Sequence, residues 1–241
     1  MLQATLDELA GEFAIGIIEG DIATDLDAAK LSGRGAQVSL LNTSNGFGGE
    51  CHLDAPMVNR ALPGLDLPGL DLVIIENVGN LVCPAEFDVG EHAKAMVYSV
   101  TEGEDKPLKY PVMFRSVDVV LLNKIDLVPY LDADVEAYIA HVRQVNTTAA
   151  ILPVSARTGA GMAAWFGWLR RFARGAPWRG WPNALTNRQL QTIRNDQAPS
   201  RIANSVLALT VKNKDRLCNS RRPNAESVAT CEPLTRHNDT E

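Results

Sequence analysis

The sequence predicts one α/β domain, a doubly wound and mostly parallel sheet, followed by a poorly structured C-terminal tail. Three observations carry that reading. Short, almost continuously apolar segments alternate with helical ones, the pattern of parallel strands covered by helices on both faces. The polar ends of the apolar segments (EGD, ENVGN, VTEGEDK, NKID and SARTG) all fall at one edge of such a sheet, where ligands of this fold class bind. After Arg174 the alternation stops and the charge changes sign. Residues 1–174 hold 13 Lys+Arg against 23 Asp+Glu, and residues 175–241 hold 10 against 6. The predicted boundary therefore falls between 174 and 175.

The elements follow in order. In 2–11, Leu2, Leu6 and Leu9 share one helical face and Gly11 supplies a stop. FAIGIIEGD (13–21) is an apolar run with acidic residues at its end, a buried strand. TDLDAAKLSG (24–33) reads as a helix capped by Thr24, with Asp27 in the capping-box position. AQVSLLNT (36–43) is a second strand. DAPMVNRALPGL (54–65) is a short helix with Asp54 as cap and Pro56 in its first turn. Strands follow at 71–80, 94–103 and 118–126, then a helix at 132–146, a strand at 151–156 and an amphipathic helix at 161–172. The tail, 175–241, is rich in polar residues and carries no motif; disorder or loose packing is expected there.

Composition narrows the function classes. The chain has 241 residues, 46% hydrophobic and 22% charged, with a net charge of −6. No apolar run reaches the roughly 18 residues of a membrane span. MLQATLDELAGEF lacks the basic segment and apolar core of a secretory signal, so a cytoplasmic protein is expected. The acidic body argues against a broad nucleic-acid surface. Without export, disulfides are not the first reading of Cys51, Cys83, Cys218 and Cys231. Metal ligation and plain burial stay open for the first two, while Cys218 and Cys231 lack ligand-type spacing.

Asn123-Lys124-Ile125-Asp126 closes a buried strand. A carboxylate there accepts two hydrogen bonds from the N1–H and exocyclic amine of guanine, an edge that adenine does not present. The Lys124 stem can lie over the base, and Asn123 can reach the base or tie neighbouring loops. Ser155-Ala156 follow the next strand, where a backbone N–H can meet the guanine oxygen. Asp21 and Glu76 end two further strands and offer oxygen ligands to Mg²⁺. Asp25 is a candidate for positioning metal or water, and Gly79 lets backbone approach a terminal phosphate. Each carboxylate taken alone reads better as a helix cap or a solvated strand end than as a ligand.

Cys51-His52 and Cys83 form a second group. Thiolate and imidazole suit Ni²⁺ or Zn²⁺. Three ligands leave the coordination incomplete, and a two-fold dimer could share such a site. A buried free cysteine beside a surface histidine is the competing reading. His92, His141 and His237 have no comparable partners in the sequence.

The segments IIEGDIATDLDAA, GGECHLDAPMV, VIIENVGNLVCPAEFDVGE, SVTEGEDKPLKYPVMF, LLNKIDLVP and PVSARTGAGM resemble the nickel-incorporation GTPases of hydrogenase maturation, the HypB family, over roughly residues 1–172. The resemblance implies a fold of the P-loop GTPase superclass. It implies GTP hydrolysis with Mg²⁺, and binding of Ni²⁺ or Zn²⁺. It implies a homodimer that serves the large subunit of [NiFe] hydrogenase alongside other nickel-insertion accessory proteins. Carried over by position, Asn123, Lys124 and Asp126 read guanine with Ser155 and Ala156 in support. Asp21 and Glu76 serve the Mg²⁺ and phosphate side, Gly79 senses the γ-phosphate, and Cys51, His52 and Cys83 hold the metal. Lys106 and Lys109 would contact nucleotide or the partner subunit.

The departures are as informative. The family's phosphate loop, G-x-x-x-x-G-K-[ST], precedes the helix that opens this chain, and no Gly-Lys pair occurs in the 241 residues. An N-terminally truncated chain lacking the first, central strand is the expectation. Without the loop the phosphates lose their backbone cradle, their Lys and the Mg²⁺ hydroxyl, so weak or absent GTP turnover is expected. The alternative function is then a metal-binding, dimerising fragment that does not hydrolyse GTP.

Overall fold

The computed structural model describes residues 1–21, 31, 33–42, 52–79, 85, 87–175 and 205–211. Its strands are β1 (Ile15–Asp21), β2 (Ala36–Asn42), β3 (Leu72–Glu76), β4 (Ala93–Ser99), β5 (Val119–Asn123), β6 (Ala150–Pro153) and β7 (Ser205–Val211). Among the described residues they form one seven-stranded sheet in the order β2-β1-β3-β7-β4-β5-β6. β1 pairs in parallel with β2 and β3, and β5 pairs in parallel with β4 and β6. β7 runs antiparallel to both β3 and β4 and joins the two halves.

The helices are α1 (Leu2–Leu9), α2 (Ala55–Ala61), α3 (Lys106–Lys109), α4 (Pro111–Arg115), α5 (Val135–Val145) and α6 (Met162–Ala173). Successive strand residues alternate between the sheet's faces, and the packing follows that alternation. One face sets Ile15, Ile17, Leu72, Ile74, Ala95, Val97, Val119 and Leu121 against α1 and α6. The other sets Met96, Tyr98, Val120 and Leu122 against α4 and α5. On that second face Ile18, Val73 and Ile75 meet α2.

Local chemistry accounts for the helix starts. Asp54 Oδ1 accepts from Met57 N at 2.7 Å, and Pro56 sits in the first turn of α2, as predicted. Asp134 caps α5 through Glu136 N at 3.1 Å. α1 and α6 lie together: the buried Trp165 indole N–H donates to Thr5 Oγ1 at 2.9 Å. Arg170 bridges Glu8 and Glu12 at their rim.

Several expectations are revised. The strand predicted for 94–103 ends at Ser99 and turns through a 3₁₀ segment, Val100–Glu102. Pro107 and Pro111 then start two short helices, α3 and α4, because proline presets the first helical turn. The helix predicted for 24–33 lies outside the described residues except for Leu31 and Gly33; Leu31 is buried on the α1 face.

The largest revision concerns the tail. Residues 205–211 are not loose: SVLALTV forms β7 at the centre of the sheet, with Leu207 and Leu209 at most 1% exposed. β-branched and leucine residues in alternation fit a sheet interior, and the unpaired edges of β3 and β4 supply the hydrogen bonds. β7 thus takes a central position in the sheet, between β3 and β4. Apart from Gly175, the rest of 175–241 lies outside the described residues.

Candidate functional site

The carboxyl ends of the parallel strands form one edge, and most of the predicted nucleotide residues stand there. β1 closes on Asp21, β3 on Glu76 and β5 on Asn123. Glu19 is in register with Glu76 on the adjacent strand and is 4% exposed. Strand alternation puts both carboxylates on the α1 face, beneath the start of that helix. The Met1 α-amino group lies there too. Burial holds it below its ordinary pKa, and the charge of Glu76 pulls it partly back. Gly79 follows the buried Asn77 and Val78 and is exposed. Asp25 lies outside the described residues.

The candidate base site is built from two loops. Lys124 adopts a left-handed backbone, φ 64°, the one non-glycine residue with positive φ among the described residues. That conformation turns the chain sharply between β5 and the 3₁₀ segment Ile125–Tyr130. Asp126 sits in the first turn of that segment and is 5% exposed. Its Oδ1 is buried and, among the described residues, has no hydrogen-bond partner. A buried carboxylate oxygen without a donor is costly unless a ligand supplies one.

The second loop runs from Ser155 to Gly161. Asn123 Oδ1 accepts from Ala156 N at 3.1 Å, which ties this loop to the end of β5. Ser155 N donates to Ala160 O at 2.8 Å, and Ser155 Oγ accepts from Thr158 N at 3.1 Å. Both predicted amides, Ser155 and Ala156, are thus committed within the protein. Their part in this geometry is to anchor the loop beside Asp126. Gly161 closes it at φ 71°, where an added Cβ would meet the Pro153 carbonyl oxygen at 2.1 Å.

Of the predicted metal ligands, His52 is described, while Cys51 and Cys83 lie outside the described residues. The His52 ring stacks on Phe87, centroids 3.9 Å apart. Leu53 N donates to the buried Asn77 Oδ1 at 2.9 Å. These two contacts draw the chain next to Cys51 towards both the end of β3 and the segment after Cys83. Among the described residues no group of three or more His, Cys, Asp or Glu side chains is placed to hold a metal ion.

Lys106 and Lys109 face carboxylates of their own loop, Glu102 at 2.7 Å and Asp105 at 2.6 Å. The loop is pinned from below. Tyr98 Oη donates to Gly103 O, and Tyr138 Oη donates to Val100 O at 2.6 Å. Burial, more than the nearby acidic charges, raises the pKa of both phenols. The sequence reading missed Glu19 and Asn77. The alternation of IIEGD could have marked Glu19 as lying two residues before Asp21 on the same face. Nothing local marks Asn77.

Comparison with known proteins identifies the family. The CobW/HypB/UreG nucleotide-binding domain matches residues 1–153. The hydrogenase maturation factor HypB of Azotobacter chroococcum mcd 1 is 51% identical over 187 residues, 77% of this chain and 59% of the relative. The HypB of Escherichia coli K12 is 50% identical over 169 residues, 70% of this chain and 57% of the relative. The chain therefore spans little more than half the length of these two relatives. It covers 70% of the probable hydrogenase maturation factor HypB of Methanocaldococcus jannaschii, at 39% identity. Among solved structures, HypB from Archaeoglobus fulgidus superposes with a TM-score of 0.65 at 35% identity, covering 71% of this chain and 82% of that one. HypB from Helicobacter pylori, solved in complex with nickel, gives 0.65 at 31% identity over 72% and 82%. Matched in sequence from its first helix through its strand-end edge, and in fold to solved members, the chain belongs to the HypB branch of the CobW/HypB/UreG family of nucleotide-binding domains.

Proposed function

We propose that this chain binds a guanine nucleotide at the carboxyl edge of its sheet and handles nickel in the maturation of a [NiFe] hydrogenase. The observation that carries the reading is Asp126. Its buried Oδ1 lacks a donor among the described residues, and the N1–H and exocyclic amine of guanine are the donors a paired carboxylate takes. The Asn123–Ala156 tie holds the neighbouring loop in place for the base.

On the phosphate side, Asp21 and Glu76 end adjacent strands and offer oxygen donors, the set Mg²⁺ takes. When bound, that ion would neutralise charge on the transferred phosphoryl group. Asp25 would orient water or metal, and Gly79 leaves room for the terminal phosphate. Nickel enters as cargo, held by Cys51, His52 and Cys83; zinc would suit the same donors. A homodimer completing that site, the hydrogenase large subunit and other accessory proteins are the partners, in the cytoplasm. The printed names of the relatives, and the nickel-bound Helicobacter pylori structure, support this assignment.

A second reading is a metal-binding, dimerising chain that does not hydrolyse GTP. It is favoured by the lack of any Gly-Lys pair. GTP turnover comparable to that of a longer relative would exclude it.

The base assignment is tested by Asp126→Asn, which replaces an acceptor with a donor. Binding should shift from guanosine to xanthosine nucleotides, as xanthine presents a carbonyl where guanine has its amine. Unchanged preference in a competition assay would remove Asp126 from the base site. For the metal, Cys51→Ala and Cys83→Ala should each lower the Ni²⁺ stoichiometry in titration; unchanged stoichiometry in both would reject the site.

A further inference from the structure

Phe87 is 37% exposed, so its ring contributes little burial to the core, yet the ring is engaged. It lies face to face with the imidazole of His52, centroids 3.9 Å apart and planes 20° from parallel. A lone exposed apolar side chain needs no explanation. A stacked pair whose two members are separately fixed through their backbones does need one, because each ring restrains the other.

The backbone at Phe87 is held from β4. Lys94 Nζ donates to Phe87 O at 2.9 Å and pairs with Glu91 at 3.0 Å. Glu91 Oε2 accepts from Val89 N at 2.8 Å, and Asp88 Oδ1 accepts from Gly90 N at 2.8 Å. On the side of His52, Leu53 N donates to the buried Asn77 Oδ1 at 2.9 Å. Leu53 follows His52 directly, and Val89 stands two residues after Phe87. Both are buried in one apolar cluster with Val58 and Ile75. The two ring-bearing segments are therefore anchored in one core, and the stack is a second tie between them.

An imidazole takes a metal through a nitrogen lone pair at its edge, in the plane of the ring, whereas stacking occupies a face. The contact with Phe87 therefore sets the plane of the His52 ring while metal binding uses its edge. A histidine whose side-chain torsions are already restrained loses less freedom on taking up a ligand position. A metal-bound ring also carries part of the charge of the ion, and the face of an aromatic ring favours positive charge. We propose that Phe87 is a positioning residue for His52, an aromatic plate that holds the imidazole plane for Ni²⁺ capture. Phe87 offers the ion no donor atom and acts through His52 alone. The inference rests on the reading of His52 as a nickel ligand.

Ni²⁺ titration and proton NMR of the 241-residue protein test this. Phe87→Leu keeps an apolar side chain but removes the plate, and should weaken Ni²⁺ binding about three- to tenfold. Phe87→Tyr keeps the plate and should restore the affinity of the unsubstituted protein. In the metal-free protein, the ring protons of His52, identified by their loss in His52→Ala, should resonate upfield because they lie over an aromatic face. Phe87→Leu should move them downfield, and Phe87→Tyr should leave them in place. Equal Ni²⁺ affinity of Phe87→Leu and the unsubstituted protein overturns the proposal. So does a loss in Phe87→Tyr as large as that in Phe87→Leu, or a set of His52 resonances that Phe87→Leu does not move. The two readings fail differently. Unchanged Ni²⁺ affinity in His52→Ala removes His52 as a ligand and this proposal with it. A weakened His52→Ala beside an unaffected Phe87→Leu removes the role of Phe87 alone.

Discussion

Asn146 shows how a single side chain can hold three elements together. It is 6% exposed, and its amide donates to Phe114 O at 2.8 Å and Val117 O at 2.9 Å. Its Oδ1 accepts from Thr148 N at 3.0 Å and Ala149 N at 2.9 Å. The end of α4 and the approaches to β5 and β6 all close on it. Asn146→Ala leaves buried backbone groups without partners, and should cost about 2–4 kcal/mol in urea unfolding. Thr5→Val should cost about 1–2 kcal/mol, because the buried Trp165 N–H loses its acceptor. Neither residue is conspicuous in the sequence, since polar residues in helices and turns usually face water. Asp126 was legible for the opposite reason: its demand arises from four consecutive residues after an apolar strand, so the local pattern contains the chemistry.

At the scale of elements, the loop Ser155–Gly161 turns on glycine. An alanine at 161 would need a left-handed backbone and would collide with the Pro153 carbonyl. Gly161→Ala should therefore cost about 1–3 kcal/mol or more. It should weaken guanine-nucleotide binding more than Ni²⁺ binding, a difference that paired titrations would read. The α1–α6 pair carries a pH signature. Hydrogen bonding and charge from Arg170, with a further contribution from Arg174, hold the Glu12 carboxyl below its ordinary pKa. Its stabilising effect is present above the ordinary carboxylate pKa and is lost as pH falls through the lowered folded value. Glu12→Gln should flatten the acid side of the melting-temperature profile without moving it near neutrality by much. Strands and long helices were legible because their apolar period spans several turns or pleats. The short helices α3 and α4 were not: four or five residues carry too little periodicity, and proline there reads as a turn.

At the scale of the whole molecule, β7 is the strand that joins the two halves of the sheet among the described residues. Leu207→Asp alone should lower the melting temperature by several degrees or prevent folding, since it places a charge in the core shared by α1 and β3. Thermal unfolding followed by circular dichroism reads this directly; an unchanged transition would place β7 outside the cooperative unit. SVLALTV is a plausible strand wherever it occurs. Its place between β3 and β4 depends on a vacancy created by residues far away in sequence, and no local pattern encodes a vacancy. The acidic body and basic tail were visible as a change of charge, but charge does not tell which part of a tail becomes core.

The position of β7 also sets the order in which the molecule can be made. Every other strand pairing of the sheet links strands that are consecutive in the chain or, for β1 and β3, separated by one strand. β7 meets partners more than 100 residues earlier. Loop closure over such a span is slow. During synthesis, β2-β1-β3 and β4-β5-β6 emerge and form their local pairings while β7 is still unmade. The nascent molecule therefore passes through a stage with two half-sheets and exposed inner edges, the state in which aggregation and chaperone capture compete with completion. Leu209→Ala should leave the early folding phase intact and speed unfolding, a partition that stopped-flow fluorescence of Trp165 and Trp168 would resolve.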